Sequence, residues 1–296
     1  MFWSRKRAAE ALPDIAVAGV APVELPVALD AAAFLRHYEA LLTAAEQDGG
    51  MESYLAALAA KRDTFVASRE SAQSAAAGLD EVTRLLATVF TARRKLYPAL
   101  EKLGEERTAA LMADLWFGPQ AAGVRLQQFV DAMPGAVDGD RASVKAAAKL
   151  RRAAWDFAAE ALHYADAGSY PLMTRWVWDQ ATQSGALREF VRGGDAMREV
   201  PFSNDPGVFE GARRWIAEQL AAQGIYRDEA LWIDLVQGQA YLAYFRSMTE
   251  GSLGADFGRG VPPNEQLKRL LGIDAAPGAR PDRVRKPAAA VQPGMH

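Results

Sequence analysis

From Asp30 to about residue 273, hydrophobic side chains recur at three- and four-residue steps, and strand-like alternation is nearly absent. That period lines apolar groups along one stripe of a helix and cannot build one face of a sheet. The chain must therefore bury its core by packing helix on helix, which predicts an all-α, multi-helix globular body. About one residue in five is alanine, which suits close helix approach and good helix propensity.

Local signals place the elements. Asp30 is a cap candidate before Phe34, Leu35, Tyr38, Leu41 and Leu42, and that helix should stop at Gly49-Gly50. A second runs from Met51 to about Ala76. Leu79, Val82, Leu85, Leu86, Val89 and Phe90 trace a third stripe, with Pro98 as a kink or an end. Gly118-Pro119 splits two shorter helices, and an alanine-rich helix spans about 140–166. Ser203-Asn204-Asp205-Pro206 is a strong helix start. Asp228 opens a helix reaching about Met248, and a last short one follows Pro263-Asn264. Between 167 and 205, glycines and prolines interrupt an aromatic-rich stretch in which a short helix is expected over Leu172–Thr182.

This divides the chain into a flexible arm (1–29), an N-terminal helical half (30–133), a C-terminal helical half (140–273) containing the aromatic loop segment 167–205, and a disordered basic tail (274–296). The tail beyond Asp274 sums to +3 and the arm to zero. The net charge of −3 therefore hides a body of −6.

Composition excludes several chemistries. With no cysteine, the chain has no disulfide, thiolate nucleophile or iron–sulfur cluster. P-loop, dinucleotide-binding and nucleophile-elbow spacings are missing. Asp256-Phe257-Gly258 spells a kinase metal triplet without its partner motifs. The histidines are His37, His163 and His296, and Glu160-Ala161-Leu162-His163 is a single Glu-x-x-His where a di-iron bundle needs two. On a helical wheel Glu160 and His163 fall with Lys145, Lys149, Arg152 and Asp156, so that stripe reads as a solvent face. No cofactor and no metal site are expected. No apolar run is long enough to cross a bilayer. Glu10, Pro13, Asp14 and Pro22 break the stretch after the basic start Arg5-Lys6-Arg7, so a cytoplasmic protein with no membrane partner is expected.

What remains is arginine, aspartate and aromatic residues. Arg151 lies within the apolar arc of the 140–166 helix and needs a salt bridge, a snorkelling path or a bound anion. The helix after Asp228 is apolar nearly all round yet carries Asp234, a natural partner for Arg151, Arg175 or Arg213, with Tyr241 on the same side. Arg151, Arg175, Asp234 and Tyr241 are thus the candidate ligand-binding set, with a structural ionic network as the alternative. Trp176 and Trp178 are core residues or anchors for a protein partner. Arg93-Arg94-Lys95 and Arg151-Arg152 are short basic clusters, but on an acidic body they do not make a nucleic-acid face.

Ala161-Leu162-His163-Tyr164 with Tyr170-Pro171-Leu172 and Arg175-Trp176-Val177, downstream of Met133-Pro134-Gly135, resembles the end of helix-hairpin-helix DNA-glycosylase domains over less than a fifth of the chain. Met173 and Thr174 stand where that family has its catalytic aspartate, and the glycine-rich hairpin is lacking. The resemblance therefore carries no activity with it.

Taken alone, the sequence favours a non-catalytic helical accessory or scaffold subunit of a larger enzyme complex, with other protein subunits as partners. The alternative is a cofactor-independent enzyme or binding protein for a small anionic ligand, using an interior Arg/Asp/Tyr pocket. Nucleic-acid binding ranks last.

Overall fold

The computed structural model describes residues 19–73, 77–136, 140–249, 261–274 and 284. Among them the chain forms eleven α-helices and one short 3-10 turn, and no multi-residue strand. The helices are α1 (Ala31–Glu46), α2 (Met51–Ala72), α3 (Leu79–Ala87), α4 (Arg93–Leu103), α5 (Glu105–Phe117), α6 (Ala122–Asp131), α7 (Arg141–Ala165), α8 (Ala186–Phe190), α9 (Pro206–Ala222), α10 (Glu229–Thr249) and α11 (Pro263–Leu271). The all-α reading is correct.

Capping follows the sequence closely. The carboxylates of Asp30, Asp140 and Asp205 accept the first-turn N–H groups of Ala32, Ser143 and Gly207, which starts α1, α7 and α9. The stripe through Phe90 does not stay one helix. It stops at Ala87, where the Thr88 hydroxyl takes the Leu85 carbonyl, and a turn leads into α4. Pro98 sits inside α4, which continues to Leu103.

One hydrophobic core runs through both halves. α2 and α6 pack on α7, and α1, α8 and α11 pack on α10. α7 changes character along its length. Its first turns are largely exposed, whereas nearly every residue from Ala153 to Ala165 is buried.

The stretch 170–185 is the main departure from expectation. It holds turns in place of the helix expected over Leu172–Thr182. Asp179 forms a side-chain turn by accepting the Ala181 N–H, and its backbone pairs with Ser184. The chain then doubles back, with the Ala186 and Leu187 N–H groups donating to the Trp176 and Val177 carbonyls. Gly185 (φ +130°) permits this, since a Cβ there would lie 2.5 Å from the Val177 carbonyl oxygen.

Residues 19–29, expected as flexible arm, lie extended across the body. Val20 donates to the Ser169 carbonyl and Val23 to the Gly207 carbonyl, and Leu29 pairs with Val191. Residues 1–18 lie outside the described residues, as do Asp256-Phe257-Gly258 and the expected basic tail apart from Asp274 and Val284. Val284 is buried in the core. Among the described residues, no helix is long and apolar enough to cross a membrane.

Candidate functional site

The polar stripe of α7 organises the interior. Asp156, Glu160 and His163 lie on that stripe and were expected in solvent, yet all three are buried. Periodicity gives direction around a helix axis but not depth along it. Lys145, Lys149 and Arg152 are exposed on the same stripe one to three turns earlier.

The reason is the irregular segment that follows. Tyr170, Leu172, Met173, Trp176 and Trp178 are buried, so their backbone polar groups need partners away from water. α7 supplies several of them. The Asp156 carboxylate accepts the Arg175 N–H (2.9 Å), the Trp155 indole donates to the Met173 carbonyl (2.8 Å), and His163 Nδ1 donates to the Tyr170 carbonyl (2.8 Å). His163 Nε2 meets Asp234 Oδ2 at 2.9 Å. Both partners of the ring are acceptors, so the imidazole satisfies them together only when doubly protonated. Burial pulls its pKa down, but the charge and hydrogen bond of Asp234 with the Tyr170 carbonyl outweigh that and leave it raised.

Glu160 takes a different partner. Its carboxylate lies 2.6 Å from Lys61 Nζ of α2, which also donates to the Leu271 carbonyl at the end of α11 (2.7 Å) and sits over the Tyr164 ring. Glu160 is therefore committed to Lys61, and His163 to Asp234 and the Tyr170 carbonyl. Among the described residues no group of three or more His, Asp or Glu could hold a metal ion.

At the mouth of this stripe lies a cleft of about 730 Å³. Phe90 and Thr91 from the α3–α4 turn, Arg93, Arg94 and Lys95 from the first turn of α4, Lys149, Arg152 and Asp156 from α7, Arg175, Arg269 of α11 and Asp274 line it. Seven cations thus face two carboxylates. Arg93 pairs with Asp274 (3.7 Å), and Arg175 pairs with Asp179 (2.6 Å). Among the described residues Arg94, Lys95, Lys149, Arg152 and Arg269 have no carboxylate partner. Asp156 forms the buried floor. Burial, opposed by the Arg175 N–H and charge, raises its pKa to about 6. Thr91 lines the same space, and its hydroxyl helps to hold the Asp156 carboxyl down.

The four residues singled out from the sequence do not converge. Arg175 lines the cleft. Tyr241 packs against Trp176 with the rings tilted (centroids 6.0 Å apart) and feels the charges of Asp156 and Arg175, so it lies behind the floor. Asp234 is taken by His163. Arg151 leaves the interior altogether and pairs with Asp131 of α6 at 2.5 Å, with a side chain 39% exposed. Arg213 also finds its own partners, Glu210 and the Ala167 and Gly168 carbonyls. Trp176 and Trp178 both sit in the core, the latter against Phe202 and donating to its carbonyl.

Sequence reasoning missed Asp156, Lys149 and Arg269 as site residues, and set aside Arg93-Arg94-Lys95 and Arg152 as scattered surface charge. The continuous polar run 145, 149, 152, 156 was the available signal. Only the fold shows that α4 and α11 bring further cations to meet it.

Comparison of the chain with protein-family models, curated proteins and solved structures returns no match.

Proposed function

We propose that this protein binds a small anionic ligand in the cleft between α4, α7 and α11. One observation carries the reading. Five cations without carboxylate partners among the described residues, Arg94, Lys95, Lys149, Arg152 and Arg269, converge on a single concavity of about 730 Å³. That volume falls within the range of small-molecule sites. Surface arginine and lysine on a body of net −6 would ordinarily find acidic neighbours. Gathering them unneutralised in one concavity raises the local potential and draws in counter-charge. Arg175 and Asp156 hold the floor in place through the Asp179 pair and the Arg175 N–H.

The accessory-subunit reading rests mainly on the absence of catalytic motifs, and one of its supports, Trp176 and Trp178 as partner anchors, is weakened because both are core residues. The basic cluster that seemed isolated in the sequence is one wall of the cleft.

Thermal-shift titration with sulfate, citrate and tripolyphosphate at fixed ionic strength tests the proposal. We expect a saturable rise in Tm for at least one of them, lost in Arg152→Ala. No shift with any anion would remove it.

A further inference from the structure

We infer that Asp156 couples anion binding in this cleft to a proton: an oxyanion that only accepts hydrogen bonds binds with the Asp156 carboxyl protonated and donating to it. This rests on the anion-binding reading above and adds the regulation of that same site.

The carboxyl stands among cations without pairing with any of them. Its partners are the Arg175 N–H (2.9 Å) and the Thr91 hydroxyl, both uncharged. The Arg175 guanidinium turns to Asp179 instead (3.0 and 2.6 Å). On α4, Arg93 is drawn to Asp274, while Arg94 and Lys95 line the wall. Arg152 and Lys149 stand one and two turns earlier on α7, and Arg269 comes from α11. Among the described residues none of these cations forms an ion pair with Asp156.

The titratable groups behind the floor have their own arrangements. Tyr241 of α10 is held protonated, its pKa raised by burial. Glu160, one turn deeper on α7, is raised too, but it meets Lys61 of α2 and does not line the cleft. His163 is taken by Asp234. A proton demanded by the contents of the cleft therefore falls on Asp156.

An ionised carboxyl on this floor opposes anion binding. Asp156 is only 4% exposed, so little water screens it from a neighbouring charge. One proton reverses the interaction. The acid O–H then donates to an anion oxygen, while the other carboxyl oxygen keeps the Arg175 N–H. Burial has already lifted Asp156 to about 6, so the step needs little further push near neutral pH. An anion alongside supplies that push, and by linkage ligand and proton each tighten the other. A cationic ligand could pair with ionised Asp156, but it would face the surrounding arginines and lysines.

Isothermal titration of the full chain with sulfate, which stays fully ionised over the range used, tests the coupling at constant ionic strength. Raising the pH from about 6 to about 8 should weaken sulfate binding about fivefold or more. Heats measured in two buffers of different ionisation enthalpy should report uptake of about half a proton or more near neutral pH. Asp156→Asn keeps the Arg175 N–H on its amide oxygen and presents an N–H where the acid has its O–H. At about pH 8 it should bind sulfate about fivefold or more tightly than the parent, with a flat pH profile and no proton uptake. Should that variant fail to fold, Thr91→Val takes its place. It removes a donor to the ionised carboxyl and should move the loss of sulfate affinity to higher pH. Sulfate binding that ignores pH and takes up no proton overturns the coupling and leaves the anion site standing. A folded Asp156→Asn protein that binds no better than the parent at high pH overturns it as well, since Asp156 would then be structural only. Binding of tripolyphosphate without any binding of sulfate has the same meaning. If neither binds, the proposed function falls with it.

Discussion

Lys61 Nζ lies 2.6 Å from Glu160 Oε2 with the two residues 4% and 2% exposed, and this contact ties α2 to α7 across 99 positions of sequence. Each charge has lost its water, so each depends on the other. The Leu271 carbonyl and the Tyr164 ring complete the shell around the ammonium. Burial pushes Glu160 upward in pKa against the pull of Lys61. Such a pair contributes little net stability compared with apolar packing, but losing one member leaves a naked interior charge.

The resulting prediction concerns single and double variants. Lys61→Met should cost about 3–5 kcal/mol, and Glu160→Leu a similar amount, by urea denaturation. Lys61→Met with Glu160→Leu together should recover most of that loss. Additive costs in the double variant would show that the pair is not one unit.

Protonation should also stabilise this fold. Asp156 has a folded-state pKa of about 6, raised from its ordinary value by burial. The folded state therefore holds this proton more tightly, and stability falls as pH rises from about 4 to 6. A shift of that size corresponds to a change on the order of 3 kcal/mol. His163 is raised as well, so its contribution is full below its ordinary pKa and is lost as pH climbs through the higher folded value. Asp156→Asn should flatten the lower part of the profile, and His163→Gln the upper part. Urea midpoints between pH 4 and 8 provide the measurement, and profiles parallel to the parent would contradict both assignments.

These two residues also show what a sequence can and cannot disclose. Helix starts at Asp30 and Asp205 were legible because a cap acts within three residues of itself. The burial of Asp156, Glu160 and His163 was not. Their partners, the backbone of residues 170–175, Lys61 and Asp234, come from elements whose docking the periodicity of α7 does not encode. The cleft was hidden for the same reason. Arg93-Arg94-Lys95 and Arg269 are 174 or more positions apart, and a net charge of −6 averages them away. The expected helix over Leu172–Thr182 failed because aromatic and apolar spacing there serves two-sided burial of a turn-rich segment.

Neighbouring arginines on α7 should separate sharply in function. Arg152 lines the cleft without a carboxylate partner among the described residues, whereas Arg151 pairs with Asp131 of α6. Arg152→Ala should weaken tripolyphosphate binding by about fivefold or more, the scale of one charge-assisted hydrogen bond. Arg151→Ala should leave it within about twofold, since Arg151 donates only to α6. Titrations of the two variants compare them directly, and equal losses would mean that general surface charge drives binding.

The segment 19–29 depends on a missing side chain in α9. Gly211 sits mid-helix, where alanine alone would add up to about 1 kcal/mol through helix propensity. A Cβ at 211 would fall 2.5 Å from the Val23 carbonyl oxygen and 3.2 Å from a Leu25 methyl group. Backbone lies on the blocking side, so the strap must lift from α9, and with it the Val23 N–H bond to the Gly207 carbonyl. Overpacking of this kind costs about 1–3 kcal/mol and outweighs the propensity gain. Gly211→Ala is therefore expected to lower stability despite being a better helix residue. It should also speed cleavage after Glu24 by a glutamate-specific protease under native conditions. A variant more stable than the parent and equally resistant at Glu24 would show that the strap is held by Val20 and Leu29 alone.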